Sequence, residues 1–125
     1  DVQIMVPGRH IDLPMVRFAS WGHYGDMLQG GVKIYEYRHR MIHNKTMVVD
    51  GLYSTIGSIN FDARSMNRNA EESLALLDRG FAAKMEAMFQ EDKENCKEIT
   101  YRDWKKRGFG KRLAEVVFWI WEPYY

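Results

Sequence analysis

The chain has 125 residues and a hydrophobic fraction of 46%, enough for one compact domain with a single core but too little for two full domains. Its 18 basic residues nearly balance its 17 acidic residues, so the whole molecule is not a general polyanion binder and any basic surface must be local. The single cysteine, Cys96, excludes an internal disulfide framework and a cysteine-based zinc cluster.

The first third of the chain predicts a strand, a helix and a second strand. An apolar run at 2–6 ends at Pro7-Gly8, and its position at the very start is typical of a piece cut from a longer chain. A helix is predicted from Asp12 to Leu28, with Gly30-Gly31 as its C-cap, and a β-rich segment follows at 32–37. Short connections in this order predict a right-handed crossover with parallel pairing.

The middle of the chain predicts three more strands and a helix. Two short strands, 46–49 and 53–56, are joined by Asp50-Gly51, a dipeptide typical of hairpin turns. Another apolar strand is predicted at 73–77, and an amphipathic helix at 81–94. The order of elements predicts an α/β fold with a mixed, mostly parallel sheet flanked by helices.

The last part of the chain differs in composition from the rest. We predict a globular lobe at residues 1–100 and a basic, Trp-rich helical tail at 101–125. Basic residues beside an apolar segment that carries Trp119 and Trp121 are typical of a membrane-interfacial helix. A terminal helix that docks on the lobe with solvated charges is the alternative, and the composition leaves both open.

The segment from His43 onward has the residue types that handle a phosphate ester. Residues two apart on a strand point to the same face, so His43 and Lys45 project together. A neutral imidazole can attack phosphorus or exchange a proton near neutral pH. The adjacent ammonium group stabilises the negative charge that develops on phosphate oxygens. Ser58 and Asn60, again two apart, can donate hydrogen bonds to the same oxygens.

A carboxylate is needed to hold the imidazole in one tautomer and orientation. Glu71 and Asp50 are the two candidates. Lysine already supplies positive charge, and the chain has no cluster of acidic residues of the kind magnesium requires, so neither a metal nor a cofactor is predicted. The spacing His43-x-Lys45-x4-Asp50-x6-Gly57-Ser58-x-Asn60 fixes six residue identities, so chance agreement is a poor explanation.

This motif resembles that of the phospholipase D superfamily, the HKD enzymes. The segments 60–66 and 69–71, which read NFDARSM and NAE, resemble the continuation of the motif in that family, and 4–8 and 31–37 resemble the C-terminal half of bacterial cardiolipin synthases. Asn67-Arg68 replaces a longer apolar stretch, a departure that bears on substrate rather than on catalysis. The resemblance implies a phospholipase D-like lobe that is one half of a two-lobed, pseudo-symmetric enzyme.

The resemblance also implies roles for individual residues. Glu71 orients the catalytic histidine, and Asp50 is a structural and electrostatic partner. In the family, two HKD motifs meet, one histidine forms a phosphohistidine and the other protonates the leaving alcohol. This chain carries one motif, so its partner is expected to be an N-terminal HKD half or a second identical subunit. By analogy with C-terminal halves, His43 is assigned as the acid/base partner.

The function implied is a phosphatidyltransferase of the cardiolipin synthase type, acting on a phosphatidylglycerol-like phospholipid at a membrane surface. The expected location is the cytoplasmic side of the bacterial inner membrane, with peripheral binding or an anchor in a region upstream. Two alternatives are a homodimeric phospholipase D-like phosphodiesterase, either lipid hydrolase or nuclease, and a non-catalytic lobe that binds phosphate or lipid headgroups. The near-neutral charge disfavours nucleic acid as a partner. Transfer and hydrolysis are not distinguished.

Overall fold

The computed structural model describes residues 1–11, 14–59, 71–108 and Gly110. In chain order, the elements of this part are β1 (Gln3–Pro7), α1 (Pro14–Gln29), β2 (Lys33–Tyr37), β3 (Lys45–Val49), β4 (Tyr53–Gly57), β5 (Ser73–Leu77), α2 (Arg79–Lys93), β6 (Cys96–Ile99) and α3 (Tyr101–Lys105). The chain divides into two compact units. The first unit comprises Asp1–Ile42 with Asn95–Tyr125, and the second comprises His43–Glu94.

The first unit contains a three-stranded sheet in the order β1-β2-β6. Strands β1 and β2 are parallel, and α1 connects them. Strand β6 adds to β2 in the antiparallel direction, with Ile99 opposite Ile34. The predicted strand–helix–strand unit with parallel pairing is therefore confirmed.

Helix α1 ends at the predicted pair of glycines. Gly31 has a φ of +88°, a left-handed conformation that glycine adopts without steric penalty. The Val32 amide donates to the Met27 carbonyl at 3.0 Å, and the Gly31 amide donates to the Leu28 carbonyl at 3.3 Å. These two bonds form the Schellman arrangement that ends many helices, so the chain turns directly from α1 into β2.

The core of the first unit lies between α1 and its sheet. Its buried residues are Trp21, Tyr24, Ile34 and Ile99. Half-buried side chains packed against them are Ile4, Val6, Met27, Leu28, Val32 and Trp104. Aromatic and branched side chains dominate this list, and each buries a large apolar area that stabilises the fold.

A buried carboxylate on β2 ties α1 to the sheet. Glu36 is only 7% exposed, and both of its oxygens accept hydrogen bonds from Arg17 Nη2, at 3.0 and 3.1 Å. Trp21 Nε1 donates to the same carboxylate at 3.0 Å. Burial, reinforced by the negative Glu36 and opposed by Arg17, raises the pKa of the nearby Tyr24 hydroxyl, which therefore remains protonated.

The second unit contains an antiparallel sheet in the order β3-β4-β5. Helix α2 packs on β3 and β4. The Asp78 carboxylate caps this helix by accepting from the Phe81 amide at 2.6 Å. In the described part of this unit, only Ala82 and Ser54 are fully buried, so its core is much smaller than that of the first unit.

The α/β class and the mixed strand pairing are as expected, but the prediction that most of the pairing is parallel was wrong. Among the described residues, only β1 and β2 are parallel, and the other three pairings are antiparallel. The reason is that the chain makes one helical crossover, whereas the β3–β4 hairpin and the return of β6 both reverse the strand direction. Strand β6 was not predicted.

Most of the predicted tail at 101–125 lies outside the described residues, as does the start of the first predicted helix at Asp12. The portion of the tail that is described contains the short helix α3. Within the described ranges, no helix combines the length and the apolar character needed to cross a membrane.

Two glycines in α1 provide a matched test of the packing between α1 and α3. A methyl group at Gly25 would lie 2.5 Å from the Trp104 ring, so Gly25→Ala must displace that ring, and we expect a loss of about 1–3 kcal/mol in unfolding free energy. A methyl group at Gly22 has no atom within 4 Å, so Gly22→Ala should gain up to about 1 kcal/mol from helix propensity. Urea denaturation measures both, and equal effects would contradict the close Gly25–Trp104 packing.

Candidate active site

One end of the second unit's sheet gathers the predicted catalytic segments. Lys45 on β3 pairs with Gly57 on β4, and Gly57 pairs with Ser73 on β5, so these residues form one row across the sheet. Three predicted site residues extend beyond the row in the same direction: His43, Ser58 and Glu71. Neighbouring strands are about 4.8 Å apart, so the three backbone segments come within roughly 10 Å of one another at this end.

His43 and Lys45 are in direct contact. Lys45 Nζ lies 2.7 Å from His43 Nδ1 and 2.6 Å from His43 Nε2, and it donates to the His43 carbonyl at 3.1 Å. A neutral imidazole has one nitrogen that accepts a hydrogen bond, so the tautomer decides which of the two nitrogens accepts from the ammonium group. The imidazole is exposed and the lysine is half-buried. An anion that reaches the imidazole therefore also meets a fixed positive charge.

Ser58 is fixed at this end by the backbone of Glu72. The Ser58 amide donates to the Glu72 carbonyl at 2.8 Å, and the Glu72 amide donates to Ser58 Oγ at 3.0 Å. The Ser58 hydroxyl also contacts the Glu72 carbonyl, at 3.3 Å. This partner could not be predicted from the sequence, because a backbone group 14 residues away is selected by strand pairing rather than by residue type.

Gly57 is required by the close approach of β4 and β5. A methyl group at this position would overlap Ser73 and the Glu72 carbonyl. The absence of a side chain lets the end of β4 lie directly against β5, and this brings Ser58 within hydrogen-bonding distance of Glu72. The glycine of the motif thus has a geometric role.

Asp50 lies at the opposite end of the hairpin from His43. It has a φ of +52° and Gly51 a φ of +59°, which are the two positive values of a type I′ turn. The Leu52 amide closes the turn by donating to the Val49 carbonyl at 3.1 Å. Five residues of extended chain separate Asp50 from Lys45, or about 17 Å. Of the two carboxylates considered from the sequence, the structure therefore leaves only Glu71 near the His43 end of the sheet.

The remaining predicted site residues are Glu71 and Asn60. Glu71 is half-buried and precedes β5. Asn60 lies outside the described residues. Within residues 1–11, 14–59 and 71–108, no three His, Cys, Asp or Glu side chains are close enough together to hold a metal ion. The structure therefore brings an imidazole and an ammonium group into contact, and it places the backbone segments of Ser58 and Glu71 at the same end of the sheet.

Comparisons with known sequences concern the family of the chain. A family model described as the phospholipase D-like domain of cardiolipin synthase matches residues 1–93. Cardiolipin synthase A from Erwinia tasmaniensis is 34% identical over 123 residues, and the protein of that name from Escherichia coli K12 is 35% identical over the same length. These alignments cover 98% of this chain but 25% of each relative. The chain therefore spans about a quarter of the length of the curated relatives that it matches.

A comparison with solved structures concerns the fold. The crystal structure of Nuc from Salmonella typhimurium, a phospholipase D family member, matches with a TM-score of 0.62 over 80% of this chain and 64% of that protein. The two sequences are 17% identical. The expected phospholipase D-like fold is confirmed.

Two serines of the β4 segment should respond in opposite ways to removal of their hydroxyl. Ser58→Ala deprives the Glu72 amide of its acceptor, and we expect it to lower the unfolding free energy by about 1 kcal/mol. Ser54 is fully buried, and its hydroxyl has no hydrogen-bond partner among the described residues. Because burial of an unsatisfied hydroxyl is unfavourable, Ser54→Ala should raise stability by about 1 kcal/mol. Thermal denaturation gives both signs, and faster hydrogen exchange at the Glu72 amide should accompany the Ser58 change alone.

The turn position of Asp50 predicts which substitutions the hairpin tolerates. Asn adopts positive φ readily in type I′ turns, so Asp50→Asn should change the unfolding free energy by less than about 0.5 kcal/mol. A β-branched residue is strained at positive φ, so Asp50→Val should cost about 1–2 kcal/mol. Chemical denaturation distinguishes the two variants. A large loss in Asp50→Asn would show that the negative charge, rather than the turn, is what the position requires.

Proposed function

The chain belongs to the family of the cardiolipin synthase phospholipase D-like domain, and from this membership we propose that it is a catalytic half of a phosphatidyltransferase of the cardiolipin synthase type. The observation that carries the proposal is the contact between His43 and Lys45 at the end of the row formed by Lys45, Gly57 and Ser73. The substrate of this phosphatidyltransferase would be a phosphatidylglycerol-like phospholipid.

The proposed chemistry uses each group for one task. An imidazole in one half attacks phosphorus, the bond from phosphorus to the glycerol headgroup breaks, and a phosphohistidine forms. The opposing histidine protonates the departing glycerol oxygen. That histidine then takes the proton from the hydroxyl of a second phosphatidylglycerol, whose oxygen attacks phosphorus and breaks the P–N bond. The products are cardiolipin, free glycerol and the regenerated histidines.

We assign His43 to the acid/base task and Lys45 to stabilisation of the charged phosphate oxygens. The short distance from Lys45 Nζ to the ring supports this pairing. Ser58 and Asn60 would donate hydrogen bonds to the same oxygens, and Glu71 would orient the imidazole. Asp50 would support the site from the turn of the hairpin, in keeping with its positive φ.

The site needs a second half, because one histidine cannot be both nucleophile and opposing acid. We propose an N-terminal HKD half or a second identical subunit as its partner. Strand β5 supports this, because Leu74 is 57% exposed and Leu77 is 75% exposed. In the described part of the chain, β5 pairs with β4 alone. An apolar strand exposed at the edge of a sheet is the kind of surface that another lobe covers.

The proposed substrate determines where the enzyme works. A phosphatidyl group remains in the bilayer, so the complete protein would act at a membrane surface, and we propose the cytoplasmic side of the bacterial inner membrane. Binding there would be peripheral or through an anchor elsewhere in the protein. The basic composition near residues 101–112 supports contact with anionic lipids.

The central test is His43→Ala in the complete protein. Loss of the acid/base group should lower cardiolipin formation from phosphatidylglycerol by about a hundredfold to ten-thousandfold. Mass spectrometry of the lipid products measures this loss. His23→Gln is the matched control, because His23 is an exposed histidine of α1 in the first unit and should leave the rate unchanged.

Retention of activity in the His43→Ala variant would overturn the assignment of this residue. The same assay distinguishes transfer from hydrolysis, because attack by water would release phosphatidic acid instead of cardiolipin. Phosphatidic acid as the sole His43-dependent product would make the protein a phospholipase D-like hydrolase and reject the transferase proposal.

A further inference from the structure

The first unit contains a cleft that lies outside the HKD motif. It is bounded by α1, β6 and α3 and has a volume of about 290 Å³. Apolar side chains of Trp21, Ile99 and Trp104 line it. Its charged lining residues are Lys97, Asp103, Lys106 and Arg107. We call this feature the Trp104 cleft.

The Trp104 ring is held in place by several contacts. Its Nε1 donates to the Trp21 carbonyl at 2.8 Å, and the missing side chain of Gly25 lets the ring lie directly against α1. The Tyr101 ring stacks on it with centroids 5.6 Å apart. The cleft therefore has a rigid aromatic wall, which is a prerequisite for binding without a large ordering cost.

Arg107 is fixed on that wall. Its guanidinium lies 3.7 Å from the centroid of the Trp104 ring, and its Nη1 donates to the Trp104 carbonyl at 2.8 Å. Stacking on an aromatic face fixes the plane of the guanidinium group, and a fixed plane is what bidentate recognition of phosphate uses. The same carbonyl bond caps the end of α3.

Two lysines add positive charge to the lining of the cleft. Lys97 on β6 and Lys106 after α3 are both exposed, and in the described part of the chain neither forms an ion pair. Asp103 contributes one negative charge. Three cationic groups against one acidic group give the cleft a net positive charge, although the whole chain carries a formal net charge of only +1.

We propose that the Trp104 cleft binds a phosphate group, either the phosphate of a lipid headgroup or free phosphate. Arginine with two lysines is a recurring phosphate-binding combination. The volume lies at the lower limit of ligand pockets, so it suits a headgroup and not a whole lipid. The proposal does not depend on the chemistry of the HKD motif, because every residue that lines the Trp104 cleft belongs to the first unit and the motif lies in the second.

The test compares two double variants of the complete protein that lose the same charge. Lys97→Gln/Lys106→Gln removes both lysines of the cleft, and Arg79→Gln/Lys84→Gln removes two exposed cations of α2. Vesicles containing 30 mol% phosphatidylglycerol in phosphatidylcholine are the probe. We expect the cleft variant to bind them about tenfold to thirtyfold more weakly, and the α2 variant to change less than about threefold.

The source of the phosphate is distinguished by competition. If inorganic phosphate displaces the protein from the vesicles, and calorimetry detects phosphate binding that the cleft variant lacks, the cleft accepts free phosphate. If phosphate neither binds nor competes while the cleft variant still loses vesicle affinity, the site is specific for the lipid headgroup. Either result supports the proposal.

Equal losses in the two double variants would overturn the proposal, because they would indicate only non-specific attraction. Unchanged vesicle binding in the cleft variant would overturn it as well. Repeating both comparisons in a His43→Ala background removes turnover, so the failure of the phosphatidyltransferase proposal would leave this result unaffected. Matching thermal denaturation midpoints confirm that each variant is folded.

Discussion

The register of strands β3, β4 and β5 is the constraint on which the candidate site depends. Side chains alternate between the two faces of a sheet, so a slip of one residue would move Lys45 to the opposite face. Gly57 permits the observed pairing at this end, because only a residue without a side chain fits there against Ser73 and the Glu72 carbonyl. The bonds between Ser58 and the Glu72 backbone then hold β4 and β5 together where the motif residues emerge.

The two units owe their stability to different interactions. The first unit has an aromatic core and a buried carboxylate, Glu36, which Arg17 and Trp21 satisfy together. Such a pair is close to neutral in energy while it is intact, but loss of one partner leaves an uncompensated buried charge that costs about 3–5 kcal/mol. The second unit buries fewer side chains, and its sheet exposes Leu74 and Leu77. The candidate site therefore lies in the unit with the smaller core.

Local patterns predicted the elements better than they predicted the contacts. The Gly30-Gly31 C-cap and the Asp50-Gly51 turn were recognised because each depends on conformations that few residues adopt. Strand β6 was missed because Lys97 and Glu98 are exposed on it and its place is decided by pairing with β2, about 60 residues earlier. The hydrogen bond from Trp104 to the Trp21 carbonyl spans 83 residues, a separation that no periodicity can reveal.

The spacing of the motif acquires a physical meaning from the hairpin. Gly51 is at the tip, and Lys45 and Gly57 each lie six residues from it, which is why they are paired. The spacing from Lys45 to Asp50 therefore corresponds to the length of β3, and the spacing from Asp50 to Gly57 corresponds to the turn together with β4. Asp50 adopts a positive φ at the start of the turn that joins the two paired strands. The motif residues are thus of two kinds: in the proposed mechanism His43 and Lys45 would carry the chemistry, whereas Asp50 and Gly57 lie at the turn and at the close approach of β4 to β5 that define the hairpin.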